Sequence, residues 1–461
     1  MASEHAAQAT TRPATAPRPG GNGQLVRALA HGLRLLIAGG LLAYFANRSF
    51  YDHAADFKSF YSAGYAVRHP EIPLYDLVAL DENPFGELFK LTPPAAVYLV
   101  PVSFGTIQDA RFAWRWVLVG MIVTAYSVVA ATLGLRLLSW WWLAGMGAWL
   151  VFGPLQIAVG EGQWDPVFLL LVAVAVAAAM RERLILFAGA VAFAASIKPY
   201  PLLLIGYLLA RRAWVAAAVC VAVLGGLMVA GSLIVGLDEA TAFVTRVLPA
   251  SGGTTAYADN QSLGGFLARL VSSDLKPFPL RDAPLVDLVI RAVALGLFGA
   301  TAWMVSRRPA TDALGRALHV ALFVPLSILV VPAAWTHYQA ILLVPLTVLA
   351  VEQARYRPRD PLGWLLLALT YGVLLLPNPT MLYGPEIDRG LWLRSRADAA
   401  NLALQRLYPS AASRLILSYK VYAVIALYGM IAWRVWRPGN GVAGAGDATT
   451  QPLAVPTQGA P

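Results

Sequence analysis

Five short stretches carry side chains able to do chemistry. Asp56, in Ala55-Asp56-Phe57-Lys58-Ser59-Phe60-Tyr61, follows the first apolar segment by about ten residues. A carboxylate there is suited to take a proton from a hydroxyl. Its bland alternative is a loop acid or a cap for the helix that follows. Gly160-Glu161-Gly162-Gln163-Trp164-Asp165-Pro166 offers Gln163 and Asp165 between glycines that permit close backbone approach. Asp165 is equally a helix cap ahead of a proline at the first helical position. Lys198, in Ser196-Ile197-Lys198-Pro199-Tyr200-Pro201, is a lone cation that could grip a phosphate as a point charge or snorkel to headgroups. Asp259-Asn260-Gln261-Ser262-Leu263 supplies amides that suit sugar hydroxyls, or a capped turn. In Ala334-Trp335-Thr336-His337-Tyr338-Gln339, His337 would stabilise a phosphate if charged and relay a proton if neutral, or serve as a belt residue. His53, beside Asp52 and Asp56, has no diagnostic metal spacing.

These patches must be carried by a membrane frame. The 461-residue chain is 58% apolar and 13% charged, against roughly 25% charged in soluble domains. No water-soluble fold of this size hides so much apolar side chain, which excludes a soluble enzyme. A single cysteine, Cys220, excludes an internal disulfide framework and a cysteine-rich metal site. There is no G-x-x-x-x-G-K-[ST] loop and no G-x-S-x-G elbow, so ATP-driven transport and serine hydrolysis lose support.

Apolar runs predict about twelve transmembrane helices, at 26–46, 111–134, 140–158, 165–180, 184–197, 200–210, 213–236, 286–306, 314–333, 338–352, 362–378 and 414–433. Several are short and bounded by Pro or Gly, as in broken helices that face a cavity. Residues 92–104 are apolar but short, either a re-entrant piece or a span. Residues 1–24 and 438–461 have the composition of disordered tails, flanking a membrane domain at 25–437. Arg181/Arg183, Arg211/Arg212, Arg307/Arg308, Arg355/Arg357/Arg359 and Arg434/Arg437 fall at alternate junctions. The positive-inside rule makes these cytoplasmic, together with both termini. The long junctions 47–92, 237–285 and 379–413, and all five polar patches, then face outward. With no soluble nucleotide-sugar domain, an activated sugar would reach such a site on a lipid carrier.

The order of these pieces has a family likeness. It runs from Asp56-Phe57 through Leu74-Tyr75-Asp76, Leu91-Thr92-Pro93-Pro94 and Gly162-Gln163-Trp164-Asp165. It continues with Lys198-Pro199-Tyr200-Pro201, Asn260-Gln261-Ser262-Leu263 and Trp335-Thr336-His337-Tyr338. It resembles the polyprenyl-phosphate-mannose-dependent mannosyltransferases of the glycosyltransferase C superfamily, of the phosphatidylinositol-mannoside-elongating type, from about residue 26 to 435. Thr92-Pro93-Pro94 departs from the usual aromatic-Pro-Pro element.

The resemblance implies an all-α polytopic plasma-membrane protein whose outer loops carry short helices. It also implies inverting transfer of a hexose, mannose in that family, to a lipid or glycan acceptor hydroxyl on the outer face. It maps the catalytic aspartate to Asp56 and the histidine near the donor phosphate to His337. Lys198 and His337 would then balance phosphate charge. Tyr61, Gln163, Asp165, Asn260, Gln261 and Tyr338 would contact sugar or acceptor. A leaving group with one phosphate has little need of a divalent ion, so neither metal nor cofactor is expected, and no nucleic acid. A flippase for a lipid-linked sugar, or a transferase of arabinofuranose or glucose, is the alternative.

Overall fold

The computed structural model describes residues 21–50, 55–76, 89–272, 275, 284–378 and 404–437. The expected tails at 1–24 and 438–461 fall almost wholly outside this range. So do Asp52, His53 and most of the junction 379–413.

Among the described residues the secondary structure is helical throughout. The chain runs α1 (Gly21–Ser49), α2 (Ala55–Arg68), α3 (Pro93–Tyr98) and α4 (Ile107–Thr132). Next come α5 (Trp140–Leu150), α6 (Gly153–Gly160), α7 (Asp165–Met180), α8 (Leu184–Ala195), α9 (Ile205–Ala210) and α10 (Trp214–Val235). Short α11 (Leu237–Ala242), α12 (Leu248–Ser251) and α13 (Leu263–Val271) precede α14 (Pro284–Arg307) and α15 (Ala313–Val330). The chain then forms α16 (Leu343–Tyr356), α17 (Pro361–Leu375), α18 (Ala411–Arg414) and α19 (Tyr419–Trp436).

Six helical segments are long and apolar enough to cross a membrane: Val26–Ser49, Ile107–Thr132, Trp214–Val235, Leu285–Arg307, Ala313–Val330 and Ala411–Trp436. The expected span 140–158 is a pair, α5 and α6, bent by 62° where Gly153 and Pro154 interrupt it. Asp165–Met180, Leu184–Ala195, Tyr200–Ala210 and Pro361–Leu375 are apolar but shorter. Length and apolarity alone therefore do not reach twelve. The protein is a multi-pass membrane protein in which α7, α8 and α15 are largely buried by their neighbours. Their all-apolar sequences fit that position, because a helix hydrophobic on every side belongs inside a bundle.

Residues 92–104 do not span. They form α3 and a 3-10 turn, Val100–Ser103, together too short for a hydrocarbon core of about 30 Å. Pro93, Pro94, Ala95 and Ala96 are buried. A side chain at Gly231 of α10 would come 2.6 Å from the Pro94 nitrogen, so this close helix approach requires glycine. The Thr92 hydroxyl donates to the Ser196 carbonyl, and the Tyr98 and Ser196 hydroxyls lie 3.1 Å apart. This short piece thus packs over the C-terminal end of α8, where Ser196 is buried. That helix must stop there, because Pro199 and Pro201 cannot continue it and disfavour helical backbone before them.

Polar side chains sort to opposite ends of the bundle. At one end Arg434 meets Glu352 at 3.3 Å and Asp360 at 3.6 Å, and Arg316 meets Glu182 at 3.0 Å. There Arg355 donates to the Leu133 carbonyl at 2.6 Å and Arg316 to that of Met180 at 2.9 Å. These bonds gather the basic junctions after α4, α7 and α16 with the end of α19. The five patches lie at the other end.

Candidate active site

Asp56 stands in the first turn of α2, where a carboxylate complements the helix N-terminus. Phe57 is fully buried beneath it. Gly162 makes that packing feasible: its φ is +72°, and an added Cβ would lie 2.8 Å from the Cβ of Phe57. Helix α4 holds the same loop from behind. Trp114 Nε1 donates to the Gly162 carbonyl at 2.8 Å, Arg115 Nη2 to that of Gly160 at 2.8 Å, and Trp114 meets Trp164 edge-on at 5.3 Å.

Two elements separated by 107 positions are thereby joined. Gln163 Nε2 donates to Asp56 Oδ2 at 2.5 Å, and Gln163 Oε1 accepts from Lys198 Nζ at 3.1 Å. One amide therefore bridges a carboxylate and an ammonium. Gln163 is 5% exposed and Lys198 7%. Lys198 sits in the break after α8, with Nζ 4.5 Å from the centre of the Tyr338 ring. Tyr338 stacks on Tyr200 at 5.0 Å. Burial works against the charge on Lys198, but the Tyr338 hydroxyl, Asp165 and Asp56 outweigh it and hold its pKa above the ordinary lysine value. Lys198 is a cation at neutral pH.

His337 opens the 3-10 turn Thr336–Leu342 ahead of α16. Burial, and then the charge on Lys198, push its pKa well below the usual histidine value. Of the two protonation states expected, this shift favours the neutral one. Its Nε2 lies 3.9 Å from Asp165 Oδ2, too far for a hydrogen bond. Asp165 is fully buried at the start of α7 and makes no capping bond. Both its oxygens, and His337 Nε2, lack a hydrogen-bond partner within the protein. Buried polar atoms left open in this way cost about 1–3 kcal/mol each; the Asp165 oxygens can accept from hydroxyls, and His337 Nε2 can meet a hydroxyl or, carrying the ring proton, a phosphate oxygen.

Asn260 and Gln261 are also fully buried, and they act on the backbone. Asn260 Nδ2 donates to the carbonyls of Thr255 at 2.9 Å and Pro332 at 3.0 Å, while Oδ1 accepts from Ala334 N at 3.0 Å. Gln261 N donates to the Ala334 carbonyl at 2.7 Å, and Gln261 Nε2 to that of Leu417 at 2.8 Å. Together they fasten the segment that carries His337. Tyr61 is buried, with its hydroxyl on the Gly105 carbonyl at 2.8 Å. Asp56, Gln163, Lys198, Asp165, His337 and Tyr338 thus share one site. Asn260 and Gln261 brace it, and Tyr61 packs between α2 and the Gly105 turn.

Three braces were not singled out in the sequence. Buried Arg269 donates to the Tyr257 and Asn260 carbonyls, each at 2.8 Å, and to Ser418 Oγ. Lys420 Nζ caps α17 through the Leu374 carbonyl at 3.0 Å. Tyr200 stacks on Tyr338 beside Lys198. A basic residue inside an apolar run is the signal that marks Lys420; Arg269 has no comparable mark. Among the described residues no three His, Cys, Asp or Glu side chains gather to hold a metal ion.

The model of glycosyltransferase family 87 matches residues 89–332, a little over half the chain. The chain belongs to glycosyltransferase family 87. The matched part includes Gln163, Asp165, Lys198, Asn260 and Gln261, while Asp56 and His337 lie on either side of it. This family 87 protein is also 29% identical over 325 residues to the polyprenol-phosphate-mannose-dependent alpha-(1-2)-phosphatidylinositol pentamannoside mannosyltransferase of Mycobacterium tuberculosis (strain CDC 1551 / Oshkosh). The alignment covers 68% of this chain and 70% of that protein. Both likenesses bear out the resemblance seen in the motifs. The chain is a membrane glycosyltransferase.

Proposed function

We propose that the protein transfers mannose, with inversion, from a polyprenyl-phosphate donor to a hydroxyl of a lipid or glycan acceptor on the outer face of the plasma membrane. The observation that carries this reading is the Asp56–Gln163–Lys198 bridge, which puts an acid suited to general-base work one amide away from a buried cation. The donor class is drawn from the relative's name.

Asp56 takes the proton of the acceptor hydroxyl as that oxygen attacks C1 of the sugar. The bond from C1 to the phosphate oxygen breaks on the opposite side, which inverts the anomeric centre. The departing lipid phosphate gains one negative charge. Lys198 meets that charge as a fixed cation, and neutral His337 contributes a ring N–H. Asp165, buried with both oxygens open, receives sugar hydroxyls. Tyr338 and Tyr200 form an aromatic wall beside the lysine. Holding two lipid-borne partners in one groove supplies much of the rate through orientation.

Twelve crossings fit the alternation of helix ends between the basic network and the site. The positive-inside rule then puts the basic end and both termini in the cytoplasm. The reading is tested with the full chain in detergent, radiolabelled polyprenyl-phosphate-mannose and a mannosylated phosphatidylinositol. Labelled product without a membrane gradient is the expected result. Movement of the donor across liposomes with no product would instead mark a transporter.

A further inference from the structure

The bridge at Gln163 has more to it than contact with sugar. Both ends of the amide are occupied inside the protein, Nε2 by Asp56 and Oε1 by Lys198. That assignment leaves no ambiguity about which way the amide points, since an ammonium only donates and a carboxylate only accepts. The side chain cannot swing freely. Its own N–H donates to the Ala158 carbonyl at 2.7 Å, and α4 pins the carbonyls of Gly160 and Gly162 on either side. At 5% and 7% exposure, neither Gln163 nor Lys198 can exchange these bonds for water cheaply. Hydrogen bonds in such a chain polarise one another, so loosening one end weakens the other.

We infer that Gln163 is a positioning residue through which Asp56 and the donor phosphate compete for Lys198. This rests on the reading that Lys198 receives the phosphate. An anionic phosphate oxygen is a stronger acceptor for an ammonium than an amide carbonyl is. When it arrives, Lys198 turns its protons toward the phosphate and its pull on Gln163 Oε1 falls. The Gln163 amide then holds Asp56 Oδ2 less firmly, and the carboxylate is released toward the acceptor hydroxyl. The base is thus freed only when a donor is in place. No bond is made or broken in this step; only hydrogen-bond partners change.

Linkage is reciprocal, so the coupling can be read from the donor side alone. The probe is polyprenyl phosphate, the leaving group, titrated onto the full chain in detergent. Asp56→Asn keeps the shape but removes the charge that tethers Lys198 through the amide. It is expected to tighten polyprenyl phosphate binding about 5-fold in the natural background. On a Gln163→Leu background the same change is expected to alter affinity less than about 2-fold, because only the through-space repulsion remains. Gln163→Met replaces Gln163→Leu should the latter not fold. Equal effects of Asp56→Asn on both backgrounds, or no effect in the natural one, would overturn the inference. Failure of the unmutated chain to bind polyprenyl phosphate would instead remove the phosphate reading itself.

Discussion

Gly162→Ala is the smallest change that should separate base from cation without touching either. The backbone at Gly162 has φ +72°, where a side chain costs about 1–2 kcal/mol. The new methyl would also lie 2.8 Å from the Cβ of Phe57, about 1 Å inside ordinary carbon contact. Overpacking of this kind costs about 1–3 kcal/mol. Phe57 is fully buried, and the loop behind Gly162 is pinned by Trp114 and Arg115. The side free to move is therefore the first turn of α2, and Asp56 moves with it. A displacement near 1 Å at a reacting group costs about 10²-fold in rate. Transfer of radiolabelled mannose by the purified variant should fall by about that factor. Donor affinity should not fall, and should rise by no more than the about 5-fold expected of Asp56→Asn, since Lys198 keeps its place and only its tether to Asp56 through Gln163 is loosened. Phe57→Ala in the same chain removes the clashing atoms beyond Cβ but not the Cβ, so it should restore little. A Gly162→Ala enzyme that folds and turns over at the natural rate would refute the idea that this contact sets the position of Asp56.

Three further outcomes follow from the geometry. Lys198→Ala should raise the donor KM at least about 10-fold, with Lys198→Arg recovering part of the loss, as measured by steady-state transfer; an unchanged KM would count against phosphate contact. His337 is held neutral by burial, so its folded-state pKa lies below the ordinary 6.5. Below about pH 6.5 the unfolded chain gains a proton that the folded chain does not, so stability should drop as pH falls, and His337→Gln should flatten that part of a thermal-melt profile against pH. Asn260→Leu would leave the Ala334 N–H and the Thr255 carbonyl without these partners, at about 1–3 kcal/mol each, and would leave the Pro332 carbonyl only its bond from Ser262 Oγ. It should lower both the melting temperature and turnover, and a variant matching the natural chain in both would show that this fastening is dispensable.

Much of the frame was legible in the sequence because membrane burial writes itself into composition. Apolar runs located the helices, and arginine clusters found the end where Arg316, Arg355 and Arg434 bond. Pro199 and Pro201 marked the break after α8, and Pro332 the break after α15. Residues 92–104 were ambiguous because apolar character does not reveal length in space; the turn at Leu99 and the packing of Pro94 on Gly231 show a short piece laid against α10 rather than a span. Within the site, residue types identified Asp56, Lys198 and His337, but not their connection. The Gln163 bridge joins positions 107 apart, and nothing local to either encodes it. Asn260 illustrates the converse. Its amide has the chemistry for sugar hydroxyls, yet burial beside Ala334 commits that chemistry to the backbone. The protonation state of His337 was equally open, since it depends on burial and on a lysine more than a hundred residues away.

The most direct measurement is mannosyl transfer by Asp56→Asn, which keeps the shape and the acceptor oxygen but cannot take a proton. The account predicts a folded protein that still binds polyprenyl phosphate and makes product at less than about 1% of the natural rate, the scale of a lost general base. Turnover within a few-fold of the unmutated enzyme would contradict it and leave the base to be sought elsewhere in the site.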